Sequence, residues 1–175
     1  MKNIISVTPY PAIHQWYVLY VRSRAEKKVK DRLDRLRIET FLPLVKVVRQ
    51  WSDRKKHVQV PLFNGYLFLF IHPDDFLKVK MIEGVVDFVK YEKRYATIRP
   101  GEIETIRKFL ETGIHLEATP DTFAPGEKVK INFGPLHDSV GELIEIRNEK
   151  HFIVRIEVIN QILKVSVPVQ YLEKI

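Results

Sequence analysis

The segment from Pro61 to Ile71, Pro-Leu-Phe-Asn-Gly-Tyr-Leu-Phe-Leu-Phe-Ile, constrains the fold more than any other. Asn64-Gly65 is a turn dipeptide, and the six apolar or aromatic residues after it are too few for a buried helix and typical of a central strand. Period-two alternation sends Leu67, Leu69 and Ile71 to one face and Tyr66, Phe68 and Phe70 to the other. Helices packed on one side of a sheet cover only one of these faces. The aromatic face is then either covered by another layer or left open as a docking patch, and the pattern alone supports both.

The flanking chain supplies a sheet for this strand to join. Trp16 to Val21 is aromatic and β-branched, as a strand should be. A helix follows, with Ser23 and Glu26 spaced as a capping box and Ala25, Val29, Leu33 and Leu36 as its buried stripe. Lys28, Arg32 and Arg35 recur at helical spacing and form one basic row beside that stripe, continued by Arg22 at the end of the strand. Residues 39–51 and 57–62 read as two extended segments around a basic tip, Ser52-Asp53-Arg54-Lys55-Lys56. After the central strand, His72-Pro73-Asp74-Asp75 opens a short helix to Met81, residues 85–91 form another strand, and Pro100 starts a helix to about Leu110. This order predicts an α+β fold with a ferredoxin-like antiparallel sheet and helices on one face.

Charge divides the chain. Residues 1–111 hold 22 lysines and arginines against 13 acids, and residues 112–175 hold 7 against 9. A basic first part and a mildly acidic second part fit a domain facing nucleic acid joined to one facing something else. Residues 1–13 lack a long apolar run and read as a flexible N-terminal arm, neither a signal peptide nor a membrane span. The absence of cysteine excludes disulfides and thiolate chemistry and fits a cytoplasmic protein. A linker is expected at 112–121, where Gly113 and Pro120 interrupt a stretch without periodicity. Beyond it, five short alternating strands at 128–133, 140–147, 152–158, 162–167 and 171–174 predict a small SH3-like β-barrel.

Five motifs in this order resemble the NusG family. They are Trp16-Tyr17-Val18-Leu19-Tyr20, the basic helix, the Pro61 to Ile71 segment, Glu83-Gly-Val-Val-Asp-Phe-Val and Arg99-Pro-Gly-Glu-Ile. Residues 125–143 are similar to its KOW motif, with Gly126, Gly134, Pro135 and Gly141 at the family's turn positions. The resemblance implies a NusG N-terminal-like domain at 14–111 and a KOW domain at 122–175. It implies a transcription elongation and antitermination factor that binds RNA polymerase at the clamp helices of the largest subunit. Tyr66 and Phe68, with Asn64 and Gly65 in the preceding turn, are then the polymerase-binding residues, and their aromatic face is open. Arg22, Arg32 and Arg35 fall where specialised RfaH-like paralogues meet non-template or upstream DNA. Lys28 joins them by helix geometry, and Arg54, Lys55 and Lys56 by their place on the tip. Asn64 stands where the general factor has proline, which brings the chain closer to the specialised paralogues. In the family the KOW domain meets ribosomal protein S10 or Rho, but Leu136-His137-Asp138-Ser139 departs from the usual Phe-x-Gly segment.

Two other functional classes compete with this reading. An enzyme would draw on His72, Asp74 and Asp75, or on His137, Asp138 and Ser139. The first group is ordinary helix-start chemistry with no second cluster to complete a metal site, and the second is a run of sequence neighbours in a turn, unlike an assembled triad. Neither catalysis, a metal nor a cofactor is expected. An RNA-binding or ribosome-associated KOW protein is the other class, since RNA also rewards basic helices and aromatic strands.

Overall fold

The computed structural model describes residues 12–175, so most of the expected arm at 1–13 lies outside the described residues. In chain order the elements begin with β1 (Gln15–Val21), α1 (Glu26–Arg35), β2 (Glu39–Phe41), β3 (Leu44–Gln50), β4 (Lys55–Pro61) and β5 (Tyr66–Ile71). Then come α2 (Phe76–Lys80), β6 (Val85–Phe88), β7 (Lys90–Tyr91), β8 (Arg94–Tyr95) and α3 (Pro100–Glu111). The last strands are β9 (Leu116–Pro120), β10 (Glu127–Ile131), β11 (Val140–Ile146), β12 (Glu149–Ile156), β13 (Gln161–Val165) and β14 (Leu172–Lys174). They fall into two compact units. One holds the described residues of Met1–Leu42 with Gly65–Ile98, and the other holds Pro43–Asn64 with Arg99–Ile175. Neither unit is continuous in sequence, so this division differs from the expected one at 112–121.

In the first unit, β2, β5, β1 and β6 form one sheet in that order, every pair antiparallel. Strand, helix, two strands, helix, strand with this spatial order is the ferredoxin-like plan that the sequence predicts. The face carrying Tyr17, Leu19, Val21, Leu67, Leu69 and Ile71 is buried throughout. Tyr17 meets Phe76 of α2 edge-on at 4.8 Å, which places that helix on this face. From α1, Val29 and Leu33 are fully buried, as the helical spacing requires.

The capping box expected at Ser23 does not form. Ala25 is the N-cap without a side-chain bond, and the Glu26 side chain turns inward instead. The next helix is also shorter than expected, a 3-10 turn at Pro73–Asp75 leading into five α-helical residues. His72 Nδ1 accepts the Asp74 N–H at 3.3 Å, so this histidine serves as the cap of that turn.

The second unit contains a six-stranded antiparallel sheet ordered β14, β10, β11, β12, β13, β9. Ile144, Ile153 and Ile162 form a core cluster against which Phe123 and Ile146 pack. Two features bear on the expected barrel and linker. The expected five strands are β10 to β14, β9 adds a sixth beside β13, and no ladder among the described residues joins the outer strands β14 and β9. Part of the expected linker is also a strand, since Leu116–Pro120 pairs with Gln161–Val165 over five residues. Loss of hydrophobic periodicity misled at that point because an edge strand needs only main-chain pairing and one apolar contact, here Leu116. Gly141 lies within β11, not in a turn. A Cβ there would stand 2.4 Å from the Ile153 carbonyl oxygen of the neighbouring strand.

Candidate functional site

The second face of the first sheet is an aromatic row. Cross-strand register places Trp16 opposite Phe70, Val18 opposite Phe68 and Tyr20 opposite Tyr66, with Phe41 of β2 opposite Phe68 on the other side. Ring centroids lie 5.5 Å apart for Trp16 and Phe70, 5.4 Å for Tyr20 and Tyr66, and 6.1 Å for Phe41 and Phe68. Exposure varies along the row. Phe68 and Val18 are fully buried, Tyr66 is half-buried, and Tyr20 is 44% exposed. Phe68 is therefore not the open docking residue that the resemblance implies, and of the expected aromatic pair only Tyr66 reaches solvent. Tyr20 beside it was missed by the sequence reading. Its signal was the strand register, which the pattern of one strand cannot reveal.

A turn of defined geometry holds this exposed end. Gly65 has φ +82°, and a Cβ there would stand 3.0 Å from Tyr20 Cε2, so glycine alone lets the turn pass behind that ring. Its carbonyl accepts the Val21 N–H at 2.8 Å, and its own N–H donates to Glu26 Oε1 at 2.8 Å. Glu26 is 4% exposed, a buried carboxylate that accepts its hydrogen bond from the turn itself. Asn64, just before Gly65 in the chain, is exposed. Partial burial, and secondarily the nearby Tyr20 hydroxyl, hold the Tyr66 hydroxyl above the usual phenol range, so it stays neutral at physiological pH. Glu26→Ala should destabilise the fold by about 1–3 kcal/mol, because it leaves the Gly65 N–H without an acceptor. Glu26→Gln, which retains an acceptor oxygen, should cost less. Equal losses for the two variants in urea unfolding would show that the hydrogen bond is not what Glu26 supplies.

The expected cations are not equivalent. In the first unit, Arg22, Lys28 and Arg35 are exposed. Arg32 is engaged, donating through Nη1 to the Glu83 carbonyl and through Nη2 to Glu83 Oε2 at 2.6 Å. Glu83 thus removes one charge from the basic row that helix spacing predicts, and a residue 51 positions away was invisible to that spacing. In the second unit, Arg54, Lys55 and Lys56 are exposed at the end of the β3–β4 hairpin. Among the described residues no group of three histidines, cysteines or carboxylates could hold a metal ion, and no helix is long and apolar enough to cross a membrane.

These features together, a ferredoxin-like sheet with a partly open aromatic row, exposed basic residues and a second antiparallel sheet, define the class of fold. The chain belongs to the NusG family: residues 14–107 match the family model described as transcription termination factor nusG. It is 31% identical over 150 residues to the transcription termination/antitermination protein NusG of Bacillus subtilis, covering 77% of this chain and 83% of that protein. It is 28% identical over 149 residues to the NusG protein of Chlamydia pneumoniae, covering 79% and 81%. Among solved structures, one described as domain interaction in Thermotoga maritima NusG matches with a TM-score of 0.52 at 24% identity, covering 93% of this chain and 97% of that one, which supports the common fold. Proteins of this family are transcription factors and not enzymes.

Proposed function

We propose that the protein is a transcription elongation and antitermination factor that binds RNA polymerase at the clamp helices of the largest subunit and modulates pausing or termination. The observation that carries this reading is the partly exposed Tyr20–Tyr66 pair at the end of the aromatic row, in a chain whose relatives are termination/antitermination proteins. Tyr66 is the anchor, with Tyr20 beside it and the Asn64-Gly65 turn leading into it. Phe68 supports the ring platform from within the fold. Asn64 and the segment Pro-Leu-Phe-x-x-Tyr-Leu-Phe favour a specialised, RfaH-like role. The test is capture of polymerase from a cell extract by the tagged chain. Recovery of ribosomal subunits without polymerase would favour the RNA-binding or ribosome-associated alternative.

The exposed cations Arg22, Lys28 and Arg35 are assigned to phosphates of non-template or upstream DNA, as are Arg54, Lys55 and Lys56 on the hairpin. Replacing Lys28 and Arg35 with glutamine should reduce the salt dependence of DNA association by about one unit of slope per lost phosphate contact. Arg32→Gln should change it less, because Glu83 already occupies that guanidinium. An equal slope for wild type and the Lys28, Arg35 variant would return the row to an ordinary solvated helix face.

Strands β10–β14, with Gly141 at a close backbone approach, support reading residues 122–175 as a KOW module of SH3-like plan to which β9 adds a sixth strand. Its mildly acidic composition favours a protein partner, ribosomal protein S10 or Rho, over nucleic acid.

A further inference from the structure

The β3–β4 hairpin carries more than the three cations of its tip. All ten residues from Val48 to His57 are exposed. The ladder runs from Leu44 opposite Pro61 to Gln50 opposite Lys55, and the Trp51 N–H donates to the Arg54 carbonyl at 2.8 Å, adding one further rung. Two-residue alternation then gathers Arg49, Trp51, Arg54 and Lys56 on one side of the ribbon. Trp51 is 57% exposed, an unusual place for an indole. Arg49 stands directly opposite Lys56. Like charges at that position oppose strand pairing, and no ion pair among the described residues relieves them. Within Val48–His57 the sole carboxylate is Asp53, against four lysines and arginines. A polyanion would neutralise the cations of this face, and a flat ring would stack on its indole.

We infer that this face binds a single-stranded DNA segment, with Trp51 stacked on an unpaired base and Arg49, Arg54 and Lys56 on the adjoining phosphates. A duplex supplies the phosphates but keeps its base faces stacked internally, whereas an unpaired strand supplies both. The inference deepens the DNA assignment proposed for Arg54 and Lys56 and rests on it, adding Trp51 and Arg49 and specifying that the strand is unpaired.

The test uses the full chain and no polymerase, so it separates from the polymerase reading, which capture experiments decide on their own. The protein has two tryptophans, and Trp16 is only 7% exposed, so quenching of tryptophan emission by an added oligonucleotide reports on Trp51. Oligo(dT) of twelve nucleotides should quench the emission and bind more tightly than a blunt duplex of equal length. Followed by anisotropy of a labelled oligonucleotide, Trp51→Ala should bind about tenfold more weakly and Trp51→Phe, which retains a ring, within about threefold of wild type. Arg49→Gln should lower the salt slope without abolishing the quench. All variants should keep the wild-type cooperative melt, as expected for exposed tip residues. Equal affinity for duplex and single strand, or unchanged affinity of Trp51→Ala, would overturn the stacking assignment. Preference for oligo(U) over oligo(dT) by tenfold or more would overturn the choice of DNA.

Discussion

Phe68→Ala should destabilise the first unit by about 3–5 kcal/mol, whereas Tyr66→Ala, two residues away on the same strand face, should leave the melt nearly intact and release RNA polymerase. Phe68 is fully buried between Val18 and Phe41 in the cross-strand register, so its removal loses transfer energy and leaves a cavity in the aromatic row. Tyr66 is half-buried, with its ring 5.4 Å from that of the exposed Tyr20. Truncating a partly buried ring at the end of the row costs the fold about 1 kcal/mol. An aromatic anchor in an interface is worth about 2 kcal/mol or more to binding, which is roughly a thirty-fold loss of affinity. The pair of variants therefore separates stability from docking within one strand. Urea unfolding should single out Phe68→Ala, and polymerase capture should single out Tyr66→Ala. Capture at the wild-type level by a well-folded Tyr66→Ala, Tyr20→Ala double variant would remove this surface from the proposed interface.

That contrast also marks what strand alternation conveys. It assigned Leu67, Leu69 and Ile71 correctly to the buried face, because a face covered by helices must be apolar at every alternate position. It could not rank Tyr66, Phe68 and Phe70 among themselves. Their exposure depends on position along the row, with Phe68 central and Tyr66 at the end beside the Gly65 turn, and this is set by pairing with β1 and β2. Glu26 was legible as a helix-start residue by its spacing from Ser23, yet its carboxylate answers the Gly65 N–H from 39 positions away. Arg32 was read similarly from its own helix and is engaged by Glu83 from a distant loop. In each case the local pattern gave the element and its faces, and a long-range polar partner decided what the side chain does.

The second sheet shows the same limit at the level of topology. Its five strands after Pro125 could be read from alternation and turns, and β11, β12 and β13 supply Ile144, Ile153 and Ile162 to one core cluster. The sixth, Leu116–Pro120, carries Pro120 and only one well-buried side chain, so its residue pattern is that of a linker and only its pairing with β13 makes it a strand. Asp121 follows it directly, and its N–H donates to the Asn160 carbonyl at 3.0 Å. The chain between the two sequence halves is thereby tied into the sheet by main-chain bonds that leave little trace in residue pattern.

Arg155→Met should destabilise the second unit by about 3–5 kcal/mol, a loss comparable to that of Phe68→Ala from a side chain that the sequence reading did not single out. Arg155 lies on β12, and its Nη1 donates to both carboxylate oxygens of Asp121 and to the Phe123 carbonyl. Its Nη2 donates to the Ala124 carbonyl at 2.8 Å, and its Nε to Glu142 Oε1 and Oε2 at 3.0 Å each. Glu142 also accepts the Gly126 N–H at 2.8 Å, so the segment 121–126 is fastened to β11 and β12 through one guanidinium and one carboxylate. The three charged side chains are 13%, 14% and 21% exposed for Arg155, Asp121 and Glu142, which distinguishes this cluster from a surface ion pair of small value. Removing the arginine strands two largely buried carboxylates together, and that uncompensated charge dominates the loss. Asp121 chiefly, and Glu142 after it, hold the guanidinium above its ordinary pKa against the opposing effect of burial. A raised folded-state pKa contributes stability that is complete below the unfolded value and fades only in strong base, so the loss from Arg155→Met should be the same at pH 7 and pH 9. Neutralising the stranded acids together, as Asp121→Asn with Glu142→Gln in the Arg155→Met background, should recover part of the loss. Arg155→Lys should fall between wild type and methionine, since an ammonium cannot reproduce the planar fork. Amide hydrogen exchange should show residues 121–126 opening first in the methionine variant. A loss below about 1 kcal/mol, within the range of exposed pairs, would show that water screens the cluster and that main-chain pairing of β9 alone holds the segment in place.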